Sequence, residues 1–81
     1  MTVQVLFFAL AREHAGCASE TLELVAGARV ADALVALRER HPAIEPIWPH
    51  LAVAVDGELV GHDAPLHAGA ELALLPPVSG G

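Results

Sequence analysis

The sequence predicts an α+β fold, in which a mixed sheet of about five strands carries one main helix across one face. Apolar residues recur at helical spacing over residues 30–40, and Asp56-Gly57 gives a strong hairpin signal between two apolar runs. The predicted elements follow the order strand, strand, helix, strand, strand, strand, which favours a helix packed against a mixed sheet. The 81 residues are enough for one domain, which we place at residues 1–75.

The first half of the chain is predicted to contain two strands separated by a short helix. Residues 3–8 are apolar enough for a central strand whose two faces are both partly covered. Residues 9–15 contain good helix formers and end at Gly16, a residue suited to a left-handed helix stop. Residues 19–25 alternate between apolar and polar side chains, as in an amphipathic strand, before a turn at Gly27.

The main helix is predicted over residues 30–40, because four apolar residues lie there at i, i+3, i+4 and i+7: Val30, Ala33, Leu34 and Leu37. Pro42 ends this helix, since proline has no N–H to donate. Residues 43–50 contain two further prolines, and we expect an irregular connection there with Trp48 as one aromatic anchor.

Three strands are predicted in the second half of the chain. Residues 51–55 and 58–60 flank the hairpin signal and form an antiparallel pair. A turn-rich link over residues 61–69 leads to the last strand, residues 71–75. Pairing is expected to stop at Pro76-Pro77, because proline cannot donate to a ladder.

The composition argues against several classes of partner. Ten acidic residues stand against four arginines, lysine is absent, and the formal net charge is −6. We expect no nucleic acid and no membrane partner, because binding to either phosphate-rich surface requires cations. Cys17 is the sole cysteine, so the chain has no internal disulfide and suits a reducing compartment. The apolar run at residues 5–11 is too short for a membrane span, and we expect a cytoplasmic protein.

No metal site and no catalytic machinery of the chain's own are predicted. The chain lacks H-E-x-x-H and C-x-x-C motifs, and no histidine shows ligand-like pairing with Cys17. We expect ordinary surface or loop histidines at His14, His41, His50, His62 and His67. Cys17 has no assignable base, and no G-x-x-x-x-G-K-[ST] loop is present to bind ATP. The chain is therefore not expected to be an enzyme on its own.

Strand parity predicts that one face of the sheet is bare. The residues expected to face the helix are Val3, Val5, Phe7, Leu22, Leu24, Val53, Val55, Leu72 and Leu74. The opposite face then shows Gln4, Leu6, Phe8, Ala52, Ala54, Glu71, Ala73 and Leu75. No second long helix is predicted to cover this apolar face, so it is a candidate docking surface. The alternative is an ordinary surface, since ~55–60% of any protein surface is apolar.

The last six residues are predicted to form a flexible, extended tail: Pro76, Pro77, Val78, Ser79, Gly80 and Gly81. A tail of this length reaches roughly 20 Å at ~3.3–3.6 Å per residue. The two glycines place no Cβ near the terminal carboxylate, so another protein can close around it. We expect the carboxylate of Gly81 to be the reactive group, with a frayed and inert end as the alternative.

Three segments resemble the small, sulfur-carrying subunit of molybdopterin synthase, whose fold is a ubiquitin-like β-grasp. They are Val5-Leu6-Phe7-Phe8-Ala9 with Arg12-Glu13 and Gly16, Asp63-x-Pro65-Leu66-x-x-Gly69-x-Glu71, and the tail Pro76-Pro77-Val78-Ser79-Gly80-Gly81. The tail is the specific part, because thiamine-pathway carriers and ubiquitin also end in Gly-Gly but lack Pro-Pro-Val-Ser. The sequence departs from the pattern at Leu74-Leu75, where relatives often carry aromatic residues.

The resemblance implies a sulfur-carrying function. A ubiquitin-activating-type enzyme would thread residues 76–80 and adenylate Gly81 with ATP, and a persulfide donor would convert the adenylate to a thiocarboxylate. The carrier would then give its sulfur to a cyclic pyranopterin precursor in molybdenum cofactor biosynthesis. This step would take place in the large catalytic subunit, with which the carrier would form a heterotetramer. The chain itself would bind no cofactor, and its expected contacts with partners are Phe8, Leu59 and Leu75.

Three alternatives remain open from the sequence. The nearest is a sulfur carrier for another pathway, such as thiamine or a sulfur-containing amino acid. The second is a ubiquitin-like modifier that forms isopeptide bonds through Gly81. The third is a plain interaction domain with an inert tail.

Overall fold

The computed structural model describes residues 1–76 and contains eight elements of secondary structure in that range. The strands are β1 (Thr2–Phe7), β2 (Ser19–Glu23), β3 (Ala52–Val55), β4 (Glu58–Leu59) and β5 (Glu71–Leu75). The helices are α1 (Ala9–Ala15), α2 (Val30–Arg40) and a 3₁₀ helix (Pro42–His50). None of the helices in residues 1–76 has the length and apolar character needed to cross a bilayer.

The five strands form one mixed sheet in the order β2-β1-β5-β3-β4. β1 and β5 are parallel, and the other neighbours are antiparallel. β1 and β5 therefore finish at the same end of the sheet. The predicted mixed five-stranded sheet is confirmed, with small corrections: β1 ends at Phe7 rather than Phe8, and β2 ends at Glu23 rather than Val25. β3 and β4 are each one residue shorter than expected.

Helix α2 packs on one face of the sheet through the apolar stripe that the sequence predicts. Val30, Ala33, Leu34 and Leu37 are all buried. The carboxylate of Asp32 accepts a hydrogen bond from the N–H of Arg29 at 2.8 Å, which satisfies a donor at the start of the helix. The predicted bounds of this helix, residues 30–40, are confirmed.

The core lies between α2 and the inner face of the sheet. Its largest fully buried side chains are Phe7, Leu37, Ile44, Leu72, Leu74, Val3, Val5 and Val30. Burying a side chain of this size contributes roughly 1.5–3 kcal/mol relative to leaving it exposed. Val55 and Leu24, which were also predicted to face inward, are partly buried against this cluster.

Two turns adopt the backbone that their sequences predict. Asp56 and Gly57 both have positive φ, 51° and 85°, as a two-residue type I′ hairpin requires. Gly16 has φ 78° and its N–H donates to the carbonyl of Arg12, so it ends α1 in the left-handed region.

The expected irregular connection over residues 43–50 is wrong, because the chain forms a 3₁₀ helix from Pro42 to His50. Proline suits the first turn of a helix, and Ile44 pins this one to the core with its fully buried side chain. Trp48 is an anchor as predicted: it packs on the core, and the guanidinium carbon of Arg38 lies 5.1 Å from its ring centroid.

Candidate functional site

The face of the sheet opposite α2 carries a continuous apolar row. Leu6 in β1 pairs with Ala73 in β5, and Ala73 pairs with Ala54 in β3. Ala54 pairs in turn with Leu59 in β4. Directly paired residues project from the same face of a sheet, so these four side chains share one surface. At about 4.8 Å between strands, the row spans roughly 14 Å.

Phe8 and Leu75 extend this surface to the end of the sheet where β1 and β5 finish. The N–H of Phe8 donates to the carbonyl of Leu74 at 3.1 Å. Its extended backbone, with φ −116° and ψ 149°, keeps its side chain on the face of Leu6. Phe8 is 44% exposed and Leu59 is 59% exposed, while Leu75 is half-buried. The structure thus brings the three expected contact residues to one face.

We call this surface the open face, defined by Leu6, Phe8, Ala52, Ala54, Leu59, Ala73 and Leu75. Gln4 and Glu71 pair with each other and give it a polar border. The predicted assignment of these side chains to the face opposite α2 is confirmed. The face is less exposed than expected at Ala54, which is only 5% exposed. Its short side chain lies between paired residues on both neighbouring strands, which shield it.

An apolar hollow of about 240 Å³ adjoins the last described residue, and sequence reasoning missed it. It is lined by Leu10, Ile47, His50, Leu51 and Pro76. Helix α1 and the 3₁₀ helix are held together beside it, since Nδ1 of His14 lies 2.8 Å from the carbonyl oxygen of Ala43. The available signal was Leu10 and Ile47, two large apolar residues that no core assignment had used.

Of the six predicted tail residues, the structure describes Pro76, which is exposed and follows Leu75 directly. The other five lie outside the described residues: Pro77, Val78, Ser79, Gly80 and Gly81. The root of the tail is therefore placed beside the open face. The roles expected of these residues stay predictions.

An exposed ion pair joins the β3–β4 turn to the loop before β5. Nε2 of His67 lies 2.6 Å from Oδ2 of Asp56, and Oδ1 of Asp56 accepts the N–H of Glu71 at 2.9 Å. The hydrogen bond from the Glu71 backbone, followed by that from His67, lowers the pKa of Asp56. The Asp56 carboxylate and then the carbonyl of Ala68 raise the pKa of His67.

The expectation that no histidine pairs with Cys17 is wrong for His41. The fold brings Cys17, Glu20 and His41 together, with the sulfur, a carboxylate oxygen and a ring nitrogen all within 4.8 Å of one another. Nε2 of His41 contacts Oε1 of Glu20 directly. Sequence spacing could not reveal this cluster, because Glu20 and His41 are 21 positions apart.

Comparison with known proteins places this chain in a defined family. The ThiS family matches residues 5–81. The molybdopterin synthase sulfur carrier subunit of Chlamydomonas reinhardtii is 37% identical over 83 residues, which cover 100% of both chains. Small archaeal modifier protein 1 of Haloferax volcanii is 39% identical over 82 residues, which cover 91% of this chain and 94% of that protein. The chain belongs to the ThiS family.

Solved structures share the architecture over its full length. The crystal structure of SAMP1 from Haloferax volcanii superposes with a TM-score of 0.88 at 36% identity and covers 100% of both chains. A chain from the complex of subunits 1 and 2 of the molybdopterin-converting factor of Helicobacter pylori 26695 gives a TM-score of 0.70 at 26% identity, again over 100% of both chains. The predicted ubiquitin-like β-grasp fold is confirmed, as is the resemblance to the sulfur-carrying subunit of molybdopterin synthase.

Proposed function

We propose that this chain is the sulfur-carrier subunit of a molybdopterin synthase. The carboxylate of Gly81 is adenylated and converted to a thiocarboxylate, whose sulfur passes to a cyclic pyranopterin precursor during molybdenum cofactor biosynthesis. The observation that carries the proposal is full-length similarity to a sulfur carrier subunit of that enzyme. The open face beside the root of the tail supports it.

The surface proposed for docking, the open face, is separate from the residue proposed to react, Gly81. β1 and β5 are parallel and finish at one end of the sheet, so Phe8, Leu75 and Pro76 lie together there. A partner that covers the open face holds the domain close to the point where the tail begins. Five residues follow Pro76, and at ~3.3–3.6 Å per residue they reach at most roughly 18 Å. This length can deliver the terminus into a partner's active site while the domain stays outside.

Activation is required because a carboxylate is a poor electrophile and oxide is not a usable leaving group. In the first step, a carboxylate oxygen of Gly81 attacks the α-phosphorus of ATP on a ubiquitin-activating-type enzyme, and pyrophosphate leaves. The terminal sulfur of a persulfide donor then displaces AMP from the acyl carbon. A further thiol cleaves the resulting acyl disulfide and releases the thiocarboxylate. The carrier binds no cofactor of its own in this scheme, and the reactions take place in the cytoplasm.

The catalytic groups for sulfur transfer belong to the large subunit of the synthase, and the carrier supplies the reacting atom. We infer that two carriers and two large subunits form a heterotetramer. The association with a second subunit, though not its stoichiometry, is supported by the Helicobacter pylori 26695 complex, which contains a chain of this fold. The carrier is therefore a non-catalytic subunit of the enzyme.

Deletion of Gly81 tests the proposal. The truncated chain, the full-length chain and a Val35→Ala control are each incubated with the activating enzyme, ATP and a persulfide donor, then with the large subunit and precursor. We expect no molybdopterin from the truncated chain and normal product from the other two. All three should show essentially the same thermal midpoint. The truncated chain ends in the carboxylate of Gly80, so cofactor synthesis by it would show that sulfur transfer does not require Gly81.

A ubiquitin-like modifier is the second candidate, favoured by 39% identity to small archaeal modifier protein 1. In this role Gly81 forms isopeptide bonds with lysines of other proteins. The chain has no lysine, so it cannot form lysine-linked chains of itself. Mass spectrometry of proteins from the native host distinguishes the two functions: peptides in which the C-terminal segment of this chain is joined through Gly81 to a lysine of another protein support the modifier.

A further inference from the structure

Three potential metal ligands from separate elements converge at the start of β2, away from the open face. Cys17 lies in the turn between α1 and β2, Glu20 lies in β2, and His41 follows the last residue of α2. One sulfur, one carboxylate oxygen and one ring nitrogen from these residues lie within 4.8 Å of one another. No step of the proposed sulfur-carrying function uses them.

Regular secondary structure fixes the position of the backbone that carries these ligands. Glu20 pairs with Val5 in the β1–β2 ladder, and the carbonyl of Ala18 accepts the N–H of Phe7 at 2.8 Å. The N–H of His41 donates to the carbonyl of Leu37 at 2.9 Å, which ties it to the end of α2. A metal site built on strands and helix ends is better positioned than one built on a long loop.

The side chains are also oriented and partly shielded from water. The side chains of Glu20 and His41 are only 15% and 17% exposed, and Cys17 is half-buried. The His41 ring packs edge-on against Phe7, with 5.3 Å between centroids. Nε of Arg40 lies 3.2 Å from Oε2 of Glu20, which directs Oε1 of the same carboxylate toward His41. A partner of this kind behind a ligand fixes its orientation.

We propose that Cys17, Glu20 and His41 form a binding site for a divalent metal ion of the zinc class, with water as the fourth ligand. Zinc takes thiolate sulfur at ~2.3 Å, imidazole nitrogen at ~2.0–2.1 Å and carboxylate oxygen at ~2.0–2.2 Å in tetrahedral geometry. These bond lengths place the donor atoms roughly 3.3–3.6 Å apart. To reach that arrangement, side-chain rotation must separate the donor atoms of Glu20 and His41, which are in direct contact, and adjust all three from positions within 4.8 Å of one another.

The chemistry of the three ligand atoms determines which metal ions the site should prefer. A thiolate and an imidazole are ligands for zinc and cobalt, whereas magnesium and calcium require oxygen ligands throughout. A thiolate and a carboxylate neutralise the charge of a divalent ion, and the guanidinium of Arg40 stays on the carboxylate from outside. In the absence of metal, the same carboxylate and imidazole remain paired with each other.

Cobalt(II) is the probe that tests this site, because thiolate ligation to cobalt produces a near-ultraviolet charge-transfer band and tetrahedral geometry gives strong visible bands. The full chain, reduced and freed of metal by a chelator, is titrated with Co²⁺ and then with Zn²⁺. The variants are Cys17→Ser, Glu20→Gln and His41→Gln. His62→Gln is the matched control, since His62 is exposed and outside the cluster. Circular dichroism in chelator checks that each variant is folded.

The unaltered chain and His62→Gln should bind one Co²⁺ per chain with both spectral features, and Zn²⁺ should displace it. Cys17→Ser should lose the charge-transfer band. Glu20→Gln and His41→Gln should bind Co²⁺ at least about tenfold more weakly. Loss of an outer-shell partner alone lowers metal affinity by about 10–100-fold, so loss of a direct ligand should have at least this effect. Absence of the thiolate band in the unaltered chain, or equal affinity in all variants, overturns the proposal.

A second measurement needs no variant and so does not depend on how the variants fold. Zn²⁺ bound at this site should protect Cys17, the sole cysteine, from alkylation by iodoacetamide. Mg²⁺ at the same concentration should give no protection. An alkylation rate that Zn²⁺ leaves unchanged contradicts the proposed site. Neither result bears on Gly81, so this test and that of the sulfur-carrier function succeed or fail separately.

Discussion

Leu59 in β4 lies directly opposite Ala54 in β3, and this pairing places the most exposed large apolar residue of the five strands on the open face. Strand parity in the sequence alone leaves the direction of Leu59 ambiguous, because β4 is only two residues long. The cross-strand pairing resolves it. Leu59 therefore stands at one edge of the open face and Phe8 near the root of the tail.

Leu59→Asp should weaken binding to the large subunit of the synthase by at least about tenfold, which is ~1.4 kcal/mol. A carboxylate buried in an apolar contact loses its hydration without gaining a partner. Val35→Asp is the matched control, since Val35 is also 59% exposed but lies on α2, which covers the other face. Titration calorimetry with the purified large subunit measures both variants. Equal affinities for Leu59→Asp and Val35→Asp would show that the open face is not the interface.

Phe8→Asp should separate docking from stability. Phe8 occupies the N-cap of α1 and makes no side-chain cap hydrogen bond, whereas aspartate is among the preferred N-cap residues. We therefore expect weaker binding to the large subunit without a lower thermal midpoint. Calorimetric binding and thermal melts on the same samples provide the check. A lower midpoint together with unchanged binding would mean that Phe8 serves packing and not docking.

The Asp56–His67 pair should make stability depend on pH. The pKa of His67 is raised, so its contribution is fully present below its ordinary value of 6.5 and disappears as pH rises through the folded-state pKa. The pKa of Asp56 is lowered, so its contribution is present above 3.8 and disappears as pH falls through the folded-state value.

The variant His67→Gln isolates the contribution of His67 to this pH dependence of stability. Denaturant unfolding of the unaltered chain and of His67→Gln should show a stability difference at pH 5–6 that shrinks at pH 9. His62→Gln, another exposed histidine, should not reproduce this pattern. A difference that is constant over the whole range would show that the ion pair does not stabilise the fold.

Leu37→Ala should cost about 2–5 kcal/mol, the usual range for truncating a buried leucine. Leu37 is fully buried where α2 meets the sheet. Val35→Ala on the exposed side of the same helix should change the free energy of unfolding by no more than about 0.5 kcal/mol. Urea denaturation measures both. Similar losses for the two variants would mean that α2 does not pack through the stripe described above.

The features predicted correctly from the sequence depend on local patterns. The stripe of α2, the Asp56-Gly57 turn and the stop at Gly16 each reflect spacing or backbone preference within a few residues. The 3₁₀ helix was missed because two internal prolines, Pro46 and Pro49, resemble a loop signal.

The same distinction between local patterns and long-range packing applies to the candidate site. Strand parity was enough to predict the open face, because side chains alternate with a period of two. The hollow beside Pro76 and the cluster of Cys17, Glu20 and His41 were not predicted. Both bring together residues from distant parts of the chain, and only the folded packing of α1, α2 and the 3₁₀ helix determines their separations.

The central claim is that sulfur is carried on the acyl carbon of Gly81, and intact-mass spectrometry tests it most directly. The chain is incubated with ATP, the activating enzyme and a persulfide donor, alongside Cys17→Ser. We predict that both gain the mass expected for replacement of one oxygen by sulfur, and that fragmentation places it at Gly81. A chain whose mass is unchanged, or whose only gain is sulfur added at Cys17, would contradict the account.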